Sequence, residues 1–311
     1  MSVQITEAFV QEFTDNVVHL SQQKGSRLRP YVRQESMHAK AKGFDRIGAV
    51  DMVEKTTRHS DTPQLDTPHS RRWCFLRDFE WADLIDDLDK VRVLNEPTSE
   101  YMLAAMWAAG RTMDDRIIEA VDATIQTGED IGSGTPATMP NSQKVAAVDG
   151  AGNFDNLNVD TLRSMKKILD ANEVEEDMER HIAVTSSQLY ALLADDRVTS
   201  GDYNTVKALV DGKINQFMGF TFHRLERVKT QTTALSASPT TGAVGSGTSV
   251  LGFRKVFAWV QPALVLAVGS DVKSRISERS DKSYATQPYI NMAIGSTRMQ
   301  EEQVVIALCS E

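Results

Sequence analysis

Four aspartates, Asp83, Asp86, Asp87 and Asp89, fall close together in the stretch FEWADLIDDLDKVR. Clustered carboxylates are what hard divalent cations take as donors, so metal chemistry is the first reading to weigh. The spacing fits no calcium loop, and Leu84, Ile85 and Leu88 between the acids read as the buried face of a short solvated helix or turn. DGAGNFDNLN from Asp149 lacks the glycine and the glutamate that an EF-hand loop needs at its sixth and twelfth positions, and reads as a turn. Gly132 and Gly134 with Ala137 are spaced a little like a dinucleotide fingerprint, but they follow a helical pattern and open no helix, which reverses the required context. The histidines His19, His38, His59, His69, His181 and His223 form no HxxxH or HExxH pair, and no serine lies in GxSxG. Each histidine reads as a surface or satisfied core residue. Cys74 and Cys309 are far apart and outside any CxxC spacing, so both read as small apolar residues. These residues supply no catalytic set and imply no metal or cofactor; the enzyme alternative is a soluble metal-dependent one using the Asp83–Asp89 run.

PTSEYMLAAMWAAGRTMDDRIIEAVDATIQ carries Met102, Met106, Met113, Ile117 and Val121 at mostly four-residue steps, the spacing of one apolar helix face. Gly128 stands where a C-terminal glycine would stop it. At about 1.5 Å per residue such a helix spans roughly 40 Å, well beyond the usual three turns. Upstream, Phe9, Val10, Phe13, Val17 and Leu20 recur at helical steps and predict a short amphipathic helix over 6–20. From Tyr31 to Arg77 the chain has strand-like pieces such as IGAVDMVEKT separated by SDTPQLDTPHS, which predicts a projecting hairpin or loop that needs a neighbour to lie on.

The second half reads as α+β. VDTLRSMKKILDAN puts Leu162, Met165, Ile168 and Leu169 on one helix face, and HIAVTSSQLYALLADD reads as a strand followed by a helix capped by Ser186 or Ser187. Gly219 introduces a strand with Phe220 and Phe222 on one side. The Ser-, Thr- and Gly-rich stretch Thr230–Val250 reads as an exposed loop. VFAWVQPALVLAV reads as a strand buried on both faces with Pro262 at an edge or break, and QVVIALC repeats that character. At 311 residues and 41% hydrophobic the chain can bury a sizeable core. A net charge of -9 argues against a basic nucleic-acid-binding surface. The start MSVQITEAFVQEF lacks the pattern of a signal peptide, and no apolar window is long enough to span a membrane.

Taken in order, FVQEFTDNVVHLSQQKGSRLRPYV, GFDRIG, TTRHSDTPQLDTPHSRRW, FEWADLIDDLDKVRVLNEPTSEY leading into the long helix, MDDRIIEAV, RHIAVTSSQLYALLADD, GKINQFMGFTFHR and WVQPALVLAVGSDVKSRISER resemble the major capsid proteins of tailed bacteriophages. The resemblance is to the Hong Kong 97-like fold, in a podophage-type branch, and it covers nearly the whole chain.

That resemblance implies an α+β capsid fold in which 1–30 is the N-terminal arm, 31–88 the extended loop and 89–144 a peripheral domain built on the long spine helix. It further implies an axial domain over 145–273, a peripheral-domain hairpin over 274–297 and an axial-domain C-terminal strand over 298–311. The implied function is self-assembly into hexamers and pentamers of an icosahedral shell around double-stranded DNA, held without sequence-specific binding. Scaffolding protein, a portal at one vertex and a cement protein are the partners it suggests. The virion capsid is the implied location, with assembly in the host cytoplasm and no membrane. An encapsulin-like nanocompartment shell is the alternative within the same fold. The loop is rich in Arg and the approach to the long helix is rich in Asp. Arg58, Arg71 and Arg72 are therefore expected to pair between copies with Asp83, Asp86 or Asp89.

Overall fold

The computed structural model describes residues 21–58, 61–85, 97–149, 151, 153–195, 216–233 and 235–311. The predicted helix over 6–20, together with Asp86, Asp87, Leu88 and Asp89, lies outside them. Three α-helices are seen among the described residues: α1 (Pro97–Asp122), α2 (Val159–Ala171) and α3 (Ser186–Ala194). The strands in the first half are β1 (Arg33–Ser36), β2 (Ala41–Ile47), β3 (His69–Phe75), β4 (Arg77–Ala82), β5 (Lys144–Ala146) and β6 (Arg180–Val184). Those in the second are β7 (Gln216–Phe217), β8 (Phe220–Arg224), β9 (Ser236–Ala237), β10 (Thr248–Ser249), β11 (Arg254–Val260), β12 (Leu264–Arg279), β13 (Ala285–Arg298) and β14 (Val304–Cys309). The chain forms two compact units, one of 1–26, 77–112 and 270–293, the other of 27–76, 113–269 and 294–311.

The larger unit is organised by a six-stranded sheet in the order β5-β14-β11-β6-β8-β7. Its central strands are apolar over Val256–Val260 of β11 and throughout β14 because both faces are covered. On β11, Phe257 and Trp259 join the core that contains Ile117, Ile118 and Val121 of α1, while Val256, Ala258 and Val260 join the core containing Leu162, Met165 and Leu169 of α2 and Leu192 of α3. On β14, Val304, Ile306 and Leu308 fall on the first side and Val305, Ala307 and Cys309 on the second. A sheet between two helical layers follows from the period-two alternation of the strands meeting the 3.6-residue period of the helices. The apolar run expected as one strand is two, β11 and β12, divided by a 3-10 turn at Gln261–Ala263 where Pro262 breaks the ladder.

The caps follow local sequence. Asn158 accepts from the Thr161 N–H at 2.8 Å to start α2. Thr185, rather than Ser186 or Ser187, caps α3, with Gln188 closing a capping box. Gly219 takes a φ of +85° at the tight turn between β7 and β8, a conformation that favours glycine. The polar stretch Thr230–Val250 is not an exposed loop throughout. It carries the short β9-β10 pair, and Ala237 and Val250 are wholly buried in the core. Small residues there let a chain with few large side chains fold in on its own hydrogen bonds, as the Val250 N–H does on the Leu235 carbonyl at 3.0 Å.

Helix α1 starts at Pro97 and ends at Asp122, before Gly128. Its last carbonyls meet a buried guanidinium instead: Arg298 donates through Nη1 to the oxygens of Val121 at 2.6 Å, Ala123 at 3.3 Å and Ala120 at 3.4 Å. Four carbonyls at a helix end need partners, and a cation there also suits the helix dipole. Met113, Ile117 and Val121 are buried as the stripe requires, whereas Met106 is 52% exposed.

On the α1 side of the sheet two histidines sit side by side. His223 Nε2 and His181 Nδ1 are 3.2 Å apart. The Tyr31 ring lies 4.1 Å from that of His223 and 4.9 Å from that of His181, and Trp259 packs on both imidazoles.

In the smaller unit the outer lengths of β12 and β13 form a sheet with β4. The predicted short helix around Asp83 is absent over 83–85. Ile85 instead bridges Thr286 in antiparallel fashion and is buried, while Leu84 is exposed. The first part of α1 carries the arm across its surface: Arg111 donates to Gln22 Oε1 at 2.8 Å, and the Lys24 ammonium sits 5.2 Å over the Trp107 ring. Gly110 permits this crossing, since a Cβ there would lie 2.4 Å from the Gly25 carbonyl carbon.

Candidate contact surface

The residues singled out from the sequence lie mainly on and around the β2–β3 hairpin of the larger unit. The two strands pair antiparallel from Ala41 with Phe75 to Ile47 with His69, leaving 48–68 as their connection. At its base Phe44 and Cys74 pack with Met37, Val265, Ala267 and Met299. Burial pushes the Cys74 thiol up to about 11, so it is an inert core group.

Arg72 is buried and donates from Nη2 to Glu301 Oε2 at 2.9 Å. The same carboxylate oxygen accepts from Arg46 Nη1 at 3.2 Å, and Arg298 Nη2 stands 3.6 Å from Oε1. One buried carboxylate thus joins both strands of the hairpin to the arginine that closes α1. Removing one partner of such a buried group typically costs about 3–5 kcal/mol, which makes this a firm root for the hairpin. Arg71 lies beside it but points outward. Its Nε is 2.5 Å from Asp45 Oδ1, Nη1 donates to the Glu129 carbonyl at 3.0 Å, and the guanidinium lies over Trp73. The Arg71 guanidinium holds the Asp45 carboxyl below its ordinary value. This pair is exposed, so its contribution is small. Asp83 is exposed and its Oδ1 accepts from the Leu84 N–H at 2.8 Å. Arg58 is exposed on the connection, with no partner seen among the described residues. Arg71 and Arg72 are therefore adjacent and held by Asp45 and Glu301 of the same chain; Asp86 and Asp89 lie outside the described residues.

What sequence reasoning missed is the apolar character of the connection itself. Ile47 is 67% exposed, Met52 99%, Val50 and Val53 59% each, and Leu65 52%. Four large apolar side chains on the connection, with Ile47 at the end of β2, are exposed, as apolar side chains at protein–protein contacts are before a partner covers them. The signal was present in IGAVDMV, which reads as strand until one asks what would cover it. A groove of about 700 Å³ beside the hairpin is lined by Asp45, Ile47, His69, Arg71, Arg72 and Gly128 among others. Among the described residues no group of three or more His, Cys, Asp or Glu is placed to hold a metal ion. The chemistry of the surface is that of contact.

The phage capsid protein family matches residues 5–311. The chain belongs to that family. No curated protein sequence matches it. Solved structures share the fold of this capsid protein at low sequence identity. The capsid of cyanophage P-SCSP1u superposes with a TM-score of 0.75 at 13% identity, covering 99% of this chain and 94% of that one. The capsid asymmetric unit of cyanophage Pam1 gives 0.71 at 13% identity, with 98% and 97% covered. The head of Helicobacter pylori bacteriophage KHP40 gives 0.68 at 12% identity, with 99% and 98% covered. A capsid protein is a structural component that associates with itself to form a shell, and no enzymatic role attaches to it.

Proposed function

We propose that this capsid protein is the major shell subunit of a tailed phage, assembling as hexamers and pentamers into an icosahedral head around double-stranded DNA. The observation that carries this is the family match over residues 5–311. Within a Hong Kong 97-like arrangement, 31–88 would be the extended loop laid on an adjacent copy, α1 the spine, 145–273 with 298–311 the axial domain and 274–297 the peripheral hairpin. The exposed apolar side chains at Val50, Met52 and Val53 support the placement of the loop, because a neighbour would remove them from water. Of the arginines expected to pair between copies, Arg58 is the best placed, while Arg71 and Arg72 would reach a neighbour only by sharing or leaving Asp45 and Glu301. Scaffolding, portal and cement proteins are the further partners, and the host cytoplasm is the place of assembly. DNA is enclosed without sequence-specific contacts, in keeping with a net charge of -9.

The test is to express the full chain with its scaffolding partner, purify the particles and analyse their contents. Closed shells that package double-stranded DNA when supplied with a portal and packaging motor are expected. Shells that take up only a specific protein cargo would favour the nanocompartment alternative, and a chain that never forms particles would sink both.

A further inference from the structure

The sheet of the smaller unit has two open edges. β1 pairs with β12 only from Val265 to Val268, so the outer part of β12 has no strand on that side among the described residues, and Lys273–Arg279 are exposed throughout. The other edge is β4, which neighbours β13 alone and exposes Arg77, Asp78, Glu80 and Ala82. Only 280–284 join β12 to β13, too few for a parallel crossover, and Ile85 just after β4 bridges Thr286 in antiparallel fashion. The two edge strands β4 and β12 therefore run in the same direction. An unpaired edge is a template for a further strand.

The side chains differ between the edges in a matched way. Arg275 and Arg279 of β12, Tyr289 of β13 and Glu80 of β4 line one groove, and the two-residue alternation puts Lys273 and Asp78 on that same face. Tyr289 donates its hydroxyl to Glu80 Oε2 at 3.1 Å, and Arg279 Nε lies 2.8 Å from Asp281 Oδ1. Lys273, Arg275 and Asp78 are exposed and form no ion pair among the described residues. The opposite face is apolar at both edges: Ile276 is 56% exposed on β12, and Phe79 and Trp81 are half-buried on β4.

We propose that the outer edge of β12 pairs in parallel with the β4 edge of a second copy, so that the sheet continues from subunit to subunit. This rests on the shell reading and names one of its contacts. A copy set beside β12 in the same orientation presents its β4 running the same way with the same face up. Asp78 and Glu80 of one copy then come beside Lys273 and Arg275 of the other, and Phe79 and Trp81 come beside Ile276. Two β12 edges would set Lys and Arg against Lys and Arg, and two β4 edges would oppose their carboxylates, so the charges select the unlike pairing. A contact between two different surfaces is head-to-tail, the kind that closes copies into rings.

Hydrogen exchange read by mass spectrometry, on unassembled subunits and on particles of the full chain, tests this. The amides of 273–279 that face the open edge are expected to exchange quickly in the subunit and to slow about tenfold or more in the particle. Lys273→Glu with Arg275→Glu should lower particle yield severalfold, as should Asp78→Lys with Glu80→Lys, and all four in one chain should bring it back. Edge amides already slow in the free subunit, or still fast in intact particles, would overturn the proposal and leave the shell reading standing. So would reversals that change nothing or that the combination does not rescue. A parent chain that never forms particles would overturn both.

Discussion

His181 and His223 show how a single side-chain contact ties two neighbouring strands, β6 and β8, of the six-stranded sheet. With their ring nitrogens 3.2 Å apart, one imidazole must donate its N–H to the lone pair of the other, so the pair requires at least one neutral ring. Burial lowers the pKa of His223 to about 4, with the neighbouring His181 as the second cause; burial also lowers that of His181, against the opposing pull of Glu179. For bases with depressed folded-state values, the unfolded chain takes up protons first as the pH falls below about 6.5. Stability contributed by the pair is thus complete above that value and is lost on the way down toward pH 4. Allowing for screening of a partly exposed ring, the loss should be up to about 2 kcal/mol. Urea unfolding of the unassembled subunit at pH 7 and pH 5 should show the drop, and His223→Phe should flatten it. An equal drop in the variant would show that other groups carry the pH dependence.

Among the elements, the connection between β2 and β3 is the one the proposal ties to assembly, and its apolar side chains at Val50, Met52, Val53 and Leu65 stand outside the subunit's own core. Met52 is 99% exposed, so Met52→Asp removes nothing from the folded subunit and should change its stability by no more than about 0.5 kcal/mol. Against a neighbouring copy the same substitution buries a charge. Particle yield by sedimentation should fall severalfold while the melting temperature of the subunit holds; an unchanged yield would remove the connection from the assembly contact. Much of this element was legible from the turn-rich composition of 31–77, as was α1 from its four-residue spacing and β11 from its unbroken apolar run. What escaped was decided by distant partners. Arg72 meets Glu301 across 229 residues, and the end of α1 is closed by Arg298 rather than by the nearby glycine. No local pattern announces either contact. Thr230–Val250 was misread for the opposite reason: its composition is that of a loop, but backbone hydrogen bonds and the buried Ala237 and Val250 fold it onto the core.

Across the chain, a well-packed six-stranded sheet stands beside an apolar connection whose side chains the described residues leave exposed. Surface ion pairs such as Arg71 with Asp45 add little singly, so the assembly proposed above rests on burying that connection against a neighbouring copy. In the proposed assembly, copies of this chain close into a shell by covering one another's β2–β3 connections. An electron-microscopic reconstruction of particles assembled from the full chain measures this most directly. Closed shells of repeated rings are expected, with Met52 and Val53 buried against an adjacent copy. Shells in which both side chains remain in solvent, or a chain that stays a compact monomer at high concentration under assembly conditions, would contradict it.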